Sequence, residues 1–232
     1  SVKDYSSDVG KGPKNIADLL KTKSSKEWIV DSFGARGSCV LLAGETGSGK
    51  TSFIYQMAYA ISTGNIFLGE LTTQKNKVLV VQSDESKNNA LDKLELMDID
   101  GSISNLYFYL AEDGWERLNI KNLKEEVINN SFKVVFLDSV TTLLTNNGRS
   151  MRDPEFATPL YELNKLASEL NILIICTAHL RKPEGIRHEV SIHDVFGAIT
   201  QSGAVSDIWG IWVPTKQSHK NHFILKCLGK RN

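Results

Sequence analysis

The stretch Gly44-Glu45-Thr46-Gly47-Ser48-Gly49-Lys50-Thr51 limits the possible folds more than any other, because of what stands on either side of it. Before it runs Ser38-Cys39-Val40-Leu41-Leu42-Ala43, an apolar run of strand length. After it, from Ser52 to Ile61, apolar residues recur at helical spacing. A strand, a glycine turn and a helix N-terminus in that order aim several backbone N–H groups at one anion. Gly44, Gly47 and Gly49 let the backbone wrap closely, since they carry no Cβ to clash. The pattern G-x-x-x-x-G-K-[ST] is complete, so residues 44–52 (Gly44, Glu45, Thr46, Gly47, Ser48, Gly49, Lys50, Thr51, Ser52) are the expected phosphate-binding set. In such a loop Lys50 reaches the β/γ-phosphates and Thr51 offers its hydroxyl to Mg²⁺. A glycine-rich turn with no ligand is the alternative, and it leaves the lysine and threonine unexplained.

The other strands are short apolar runs, 78–82, 106–110, 134–138, 172–176, 208–213 and 223–226, and most of them are apolar on both faces. Strands buried on both sides belong to sheets covered by helices on both sides. Helical patterns at 87–97, 121–129 and 154–170 fall between them, the last with Pro154 and Glu155 in its first turn. Strand–helix alternation predicts an α/β fold with a mostly parallel twisted sheet. The last two strands are too close for a helix between them, which predicts an antiparallel closing hairpin.

At 232 residues the chain fits one α/β domain over 26–232 behind an N-terminal extension, 1–25, with a short helix at 15–20. The opening residues are polar and show no secretory h-region, and no apolar run is long enough to cross a membrane. The three cysteines, Cys39, Cys176 and Cys227, each lie in an apolar run and lack C-x-x-C spacing, which predicts reduced buried thiols and a cytoplasmic protein. Lys plus Arg and Asp plus Glu both total 27, so formal charge is zero. A free-standing nucleic-acid-binding module is usually basic, whereas a ring can confine its basic loops to a channel.

Hydrolysis requires acids as well as a phosphate loop. Asp138 ends the run Val134-Val135-Phe136-Leu137 and should emerge at the carboxyl edge of the sheet, where it can serve Mg²⁺. A strand-terminal turn is the plainer role for it. Asp84 and Glu85 follow another core strand; either can activate water, and both could instead merely cap the helix that follows. His179 follows a third strand, at a position able to feel a γ-phosphate. The polar segments 139–153 and 181–194 read as loops on the same edge, with Arg149, Arg152, Arg181, Lys182 and Arg187 as candidate contacts to a phosphate backbone.

This arrangement resembles the RecA-like, hexameric-helicase class of P-loop ATPases, and within it the RepA-like replicative helicase group related to DnaB, KaiC and RadA. The likeness rests on the phosphate loop with its Trp28-containing lead, on VLVVQSDES at 78–86, on TAHLRKP at 177–183 and on DVFGAITQSGAVSDIWGIW at 194–212. It implies ATP and Mg²⁺ as ligands, Lys50, Asp84 or Glu85, Asp138 and His179 as the catalytic set, and Thr51 and Asp138 at the metal. It also implies a homo-oligomer such as a hexamer, with ATP between subunits and single-stranded DNA as the partner in replication, recombination or repair. Members of that class carry a Lys-x-Arg pair after the last strand. Here Lys226 is present but Leu228 holds the second position, with Lys230 and Arg231 displaced towards the end. That departure keeps a second reading open: a KaiC-like switch or assembly ATPase that works through a protein partner without moving on DNA.

Overall fold

The computed structural model describes residues 13–22, 25–146, 148, 157–180, 189–195, 203–214 and 222–230. Its centre is a seven-stranded sheet. The strands are β3 (Ser38–Gly44), β4 (Val78–Gln82), β5 (Leu106–Leu110), β6 (Val134–Asp138), β7 (Leu173–His179), β8 (Asp207–Trp212) and β9 (Ile224–Lys230), in the order β5-β4-β6-β7-β3-β8-β9. All neighbouring pairs are parallel except β8 and β9, which close the sheet as an antiparallel pair. A separate two-stranded ribbon, β1 (Trp28–Val30) with β2 (Gly34–Ala35), precedes β3.

Alternation along β3 divides the interior. Cys39, Leu41 and Ala43 point into one apolar cluster together with Leu143, Leu144, Leu160 and Leu163, while Val40 and Leu42 point into a second with Ile54, Met57 and Ile61. The first cluster packs α4 (Ile120–Asn130), α5 (Val140–Thr145) and α6 (Thr158–Leu170) on one face; the second packs α2 (Lys50–Thr63) on the other. Every residue of β3, β4 and β6 is buried, as strands covered on both faces must be. Also present are α1 (Ile16–Lys21), capped by the Asn15 side chain, and α3 (Lys87–Leu96). None of the residues of α1 is buried.

Several boundaries differ from the sequence reading. The segment after Asp138 is not a polar loop from its first residue: 140–145 form α5, because Val140, Leu143 and Leu144 have the core beneath them. Helix α6 begins at Thr158 with Pro159 at its start, so the start signal is this proline; Pro154 and Glu155 lie outside the described residues. Strand β7 runs through Thr177 and Ala178 to His179, and β9 runs past Lys226 to Lys230. The cysteines lie in β3, β7 and β9 and are unbridged, with Cys39 and Cys176 buried and Cys227 half-buried. Among the described residues no helix is long and apolar enough to cross a membrane.

Candidate active site

Four adjacent strands, β4, β6, β7 and β3, bring the polar groups to one edge. Gly44 at the end of β3 is on the same rung as His179 at the end of β7, and Gln82 is on the same rung as Asp138. Between β3 and α2 the chain turns through Gly47 and Gly49, at φ +79° and +86°. L side chains resist that conformation. A Cβ at either position would meet no atom within 4 Å, so the turn stays open on its outer side. Gly44 is a glycine for a different reason: a Cβ there would lie 2.7 Å from the Ile211 carbonyl of β8.

Lys50 opens α2 and folds back over the loop. Its ammonium donates to the carbonyls of Gly44 (3.0 Å) and Glu45 (2.8 Å). Burial lowers its pKa, against the opposing pull of Asp138, Asp84 and Glu45. Both hydrogen-bond partners are neutral, so a cationic group stands over the turn without a carboxylate in direct contact, as a phosphate site requires.

Asp138 is almost completely buried, at 1 % exposure. One carboxylate oxygen, Oδ2, accepts from Thr51 Oγ1 and from Gln82 Nε2, both at 2.8 Å; the other, Oδ1, accepts from Thr177 Oγ1 at 2.5 Å. Burial raises its pKa, with the Asp84 charge acting in the same direction, while the hydrogen bonds from Thr177, Thr51 and Gln82 oppose the rise. Ser139 donates to Asp84 Oδ1 (2.9 Å), and His179 Nε2 lies 3.3 Å from Asp84 Oδ2. Burial alone would raise the pKa of Asp84, but hydrogen bonds from His179, Thr142 and Ser139 outweigh it and hold the group below the ordinary carboxylate value.

Glu85 is turned the other way. It accepts from Tyr55 OH (2.9 Å) and forms an ion pair with Lys93 of α3. Neither acid caps α3; that work falls to Ser86, whose hydroxyl accepts from the Asn89 N–H.

These groups surround a cleft of about 610 Å³ lined by Thr46, Gly47, Gly49, Lys50, Thr51, Ser52, Asp84, Glu85, Lys93, Asp138, Thr142 and His179. A larger polar hollow of about 1290 Å³ opens at the opposite edge of the sheet, beside Ser38 and Ser206, and contains none of the residues singled out from the sequence. The fold therefore gathers Lys50, Thr51, Asp84, Glu85, Asp138 and His179 into one space. Glu45 contributes through its carbonyl and Ser48 is buried beneath the loop. Arg149, Arg152, Arg181, Lys182 and Arg187 lie outside the described residues, as does Arg231.

Sequence reasoning missed Gln82, Thr177, Tyr55 and Lys93. Gln82 and Thr177 could have been flagged, since each is a polar residue at the end of an otherwise apolar buried run. Tyr55 and Lys93 give no such signal, because an aromatic or a lysine at a helical position is ordinary.

A strand–loop–helix phosphate cradle, with a lysine over it and acids delivered by the neighbouring parallel strands, defines a P-loop ATPase. The chain belongs to the AAA domain family, whose model matches residues 11–185, well over half of its length. No curated protein matches the chain.

Proposed function

We propose that this chain is a RecA-like motor ATPase that binds ATP with Mg²⁺ at residues 44–52, assembles with copies of itself in the cytoplasm, and couples hydrolysis to single-stranded DNA. One observation supports the chemistry best. The loop threonine and the buried strand acid, Thr51 and Asp138, share a 2.8 Å hydrogen bond, while Asp84 and His179 pair beside them at the mouth of the same cleft.

The residues fit the magnesium nucleotide. One hydroxyl and one carboxylate suit Mg²⁺, which takes few protein oxygens and keeps waters and phosphates for the rest. Bound there, the ion would neutralise charge on the phosphates. Lys50 would leave the carbonyls of Gly44 and Glu45 for phosphate oxygens, an exchange of neutral partners for charged ones that strengthens its hydrogen bonds.

Of the two acids, the surroundings favour Asp84 as the base. Its charge reaches Lys50 and Asp138, whereas Glu85 is tied to Tyr55 and Lys93. Held in its ionised form, Asp84 would take a proton from the attacking water. The water oxygen bonds to the γ-phosphorus, the bond to the bridging oxygen breaks, and ADP leaves with the electron pair. His179, on the same rung as Gly44 and in contact with Asp84, would report loss of the γ-phosphate.

A second reading has an observation of its own. Lys226 pairs with Glu189, and Leu228, which stands where the resembled class carries the arginine of its Lys-x-Arg pair, packs against the core. This favours a switch that hydrolyses slowly and acts through a protein partner. Steady-state ATPase rates with and without single-stranded DNA, on wild type, Lys50→Ala, Asp84→Asn and Glu85→Gln, separate the two. A motor shows DNA stimulation and a larger assembly with ATP. Turnover that ignores DNA, with no change in assembly, leaves only the switch.

A further inference from the structure

Gln82 is a fully buried side chain whose amide reaches both acids at once. Its Nε2 donates to Asp138 Oδ2 at 2.8 Å, and its Oε1 accepts the Asp84 backbone N–H at 2.7 Å. The same Nε2 lies 3.2 Å from Tyr55 OH and 3.4 Å from Glu85 Oε1. The two contacts allow only one amide orientation. Reversed, the carbonyl would face a carboxylate and the NH₂ would face an N–H, and both contacts would turn repulsive. A residue placed here merely to fill volume would be apolar, like Val78, Leu79, Val80 and Val81 before it in the strand.

We infer that Gln82 is a positioning residue that fixes the Asp138 carboxylate and the Asp84 backbone in one register. This rests on the hydrolytic reading above. Asp138 Oδ2 is the oxygen shared with Thr51, so the Gln82 donor restrains the rotation of the carboxylate that would hold Mg²⁺. The opposite end of the amide anchors the turn that carries Asp84 immediately after β4. Nucleotide phosphates would meet the loop and Lys50, with which Gln82 shares no hydrogen bond. Loss of the amide should therefore leave metal-free binding intact and impair the steps that depend on the acids.

The test uses Gln82→Met, which removes both contacts at similar volume, and Gln82→Glu, which keeps an acceptor for the Asp84 N–H but sets a carboxylate against Asp138. Binding of a fluorescent ADP analogue is measured without Mg²⁺ and across a Mg²⁺ titration, alongside kcat, KM and the melting temperature. The expected result for Gln82→Met is metal-free affinity within about twofold of wild type, a Mg²⁺ midpoint shifted by about tenfold, and kcat lowered about tenfold or more with KM little changed, as one lost restraint of roughly 1.4 kcal/mol gives. Gln82→Glu should also shift the Mg²⁺ midpoint, and the melting temperature of each variant shows first that it is folded. Were both variants to keep the wild-type Mg²⁺ midpoint and kcat while losing only melting temperature, Gln82 would be structural and the inference overturned. Should the wild type itself fail to hydrolyse ATP, the hydrolytic reading falls, while the Mg²⁺ titration still decides the role of Gln82.

Discussion

Replacing Gly44 by alanine puts a methyl group where the end of β3 has no room for one. The new Cβ would lie 2.6 Å from Ser48 Oγ, 2.7 Å from the Ile211 carbonyl oxygen and 2.8 Å from Ile211 Cγ2. The serine hydroxyl can rotate away. The Ile211 carbonyl belongs to the backbone of β8, which pairs with β3 at this rung, and it moves only if that pairing loosens. Overpacking a tight interior costs about 1–3 kcal/mol, and a fixed backbone neighbour puts this site at about 2–3 kcal/mol. For a domain of this size each kcal/mol lowers Tm by about 2–4 °C, so a fall of about 4–12 °C is expected. Affinity for ADP should fall as well, because Gly44 is the first residue of the phosphate loop and a displaced end of β3 displaces that loop. Gly47→Ala is the control. It meets no atom within 4 Å, so it carries only the left-handed backbone penalty of about 1–2 kcal/mol. Thermal unfolding without nucleotide and a fluorescent-ADP titration on both variants decide the matter. A Gly44→Ala protein that melts with the wild type, or above Gly47→Ala, would refute the packing argument.

Three further outcomes are expected. Tyr55→Phe removes a hydroxyl that donates to Glu85 and accepts from Gln82, and should cost about 1–2 kcal/mol in urea unfolding at unchanged m; an unmoved midpoint contradicts this. Asp84 has a folded pKa below its ordinary 3.8, so its stabilisation is complete above 3.8 and is lost as pH falls through the lower folded value. Stability measured across that acid window should fall less steeply in Asp84→Asn than in wild type, and parallel curves would sink the assignment. Lys93→Met deprives Glu85 of its ion-pair partner and should destabilise the chain, whereas Lys93→Arg retains the charge and should recover most of the loss in the same unfolding assay.

The parallel sheet could be read from the sequence because its central strands are apolar on both faces. Val134–Leu137 and Val78–Val81 have no polar face to confuse with a helix, and the phosphate loop supplied the direction of the first crossover. Helix α5 could not be read the same way. Its six residues, Val140–Thr145, are too few for a period to emerge among three threonines, and tertiary burial of Val140, Leu143 and Leu144 decides the matter. In the site, Asp138 and Lys50 stood out by motif. The choice between Asp84 and Glu85 did not, since two adjacent carboxylates differ only in what they face. The chain alone does not reveal that Lys93 and Tyr55 hold one while His179 and Ser139 hold the other. Gln82 was overlooked because two of its partners, Asp138 and Tyr55, lie on another strand and on a helix.

The rungs Gln82–Asp138 and Gly44–His179 have a bearing on how the molecule matures. Asp84, Asp138 and His179 are far in the chain from the phosphate loop they face, and they arrive on or just after other parallel strands joined by long crossovers. Parallel pairing of distant segments is slow, because loop-closure entropy is spent before contacts repay it. A chain whose strands were not yet paired would present the glycine loop without its acids, and a nucleotide would find its full set of contacts only on the finished sheet. By mass action such a ligand draws the population towards completed molecules.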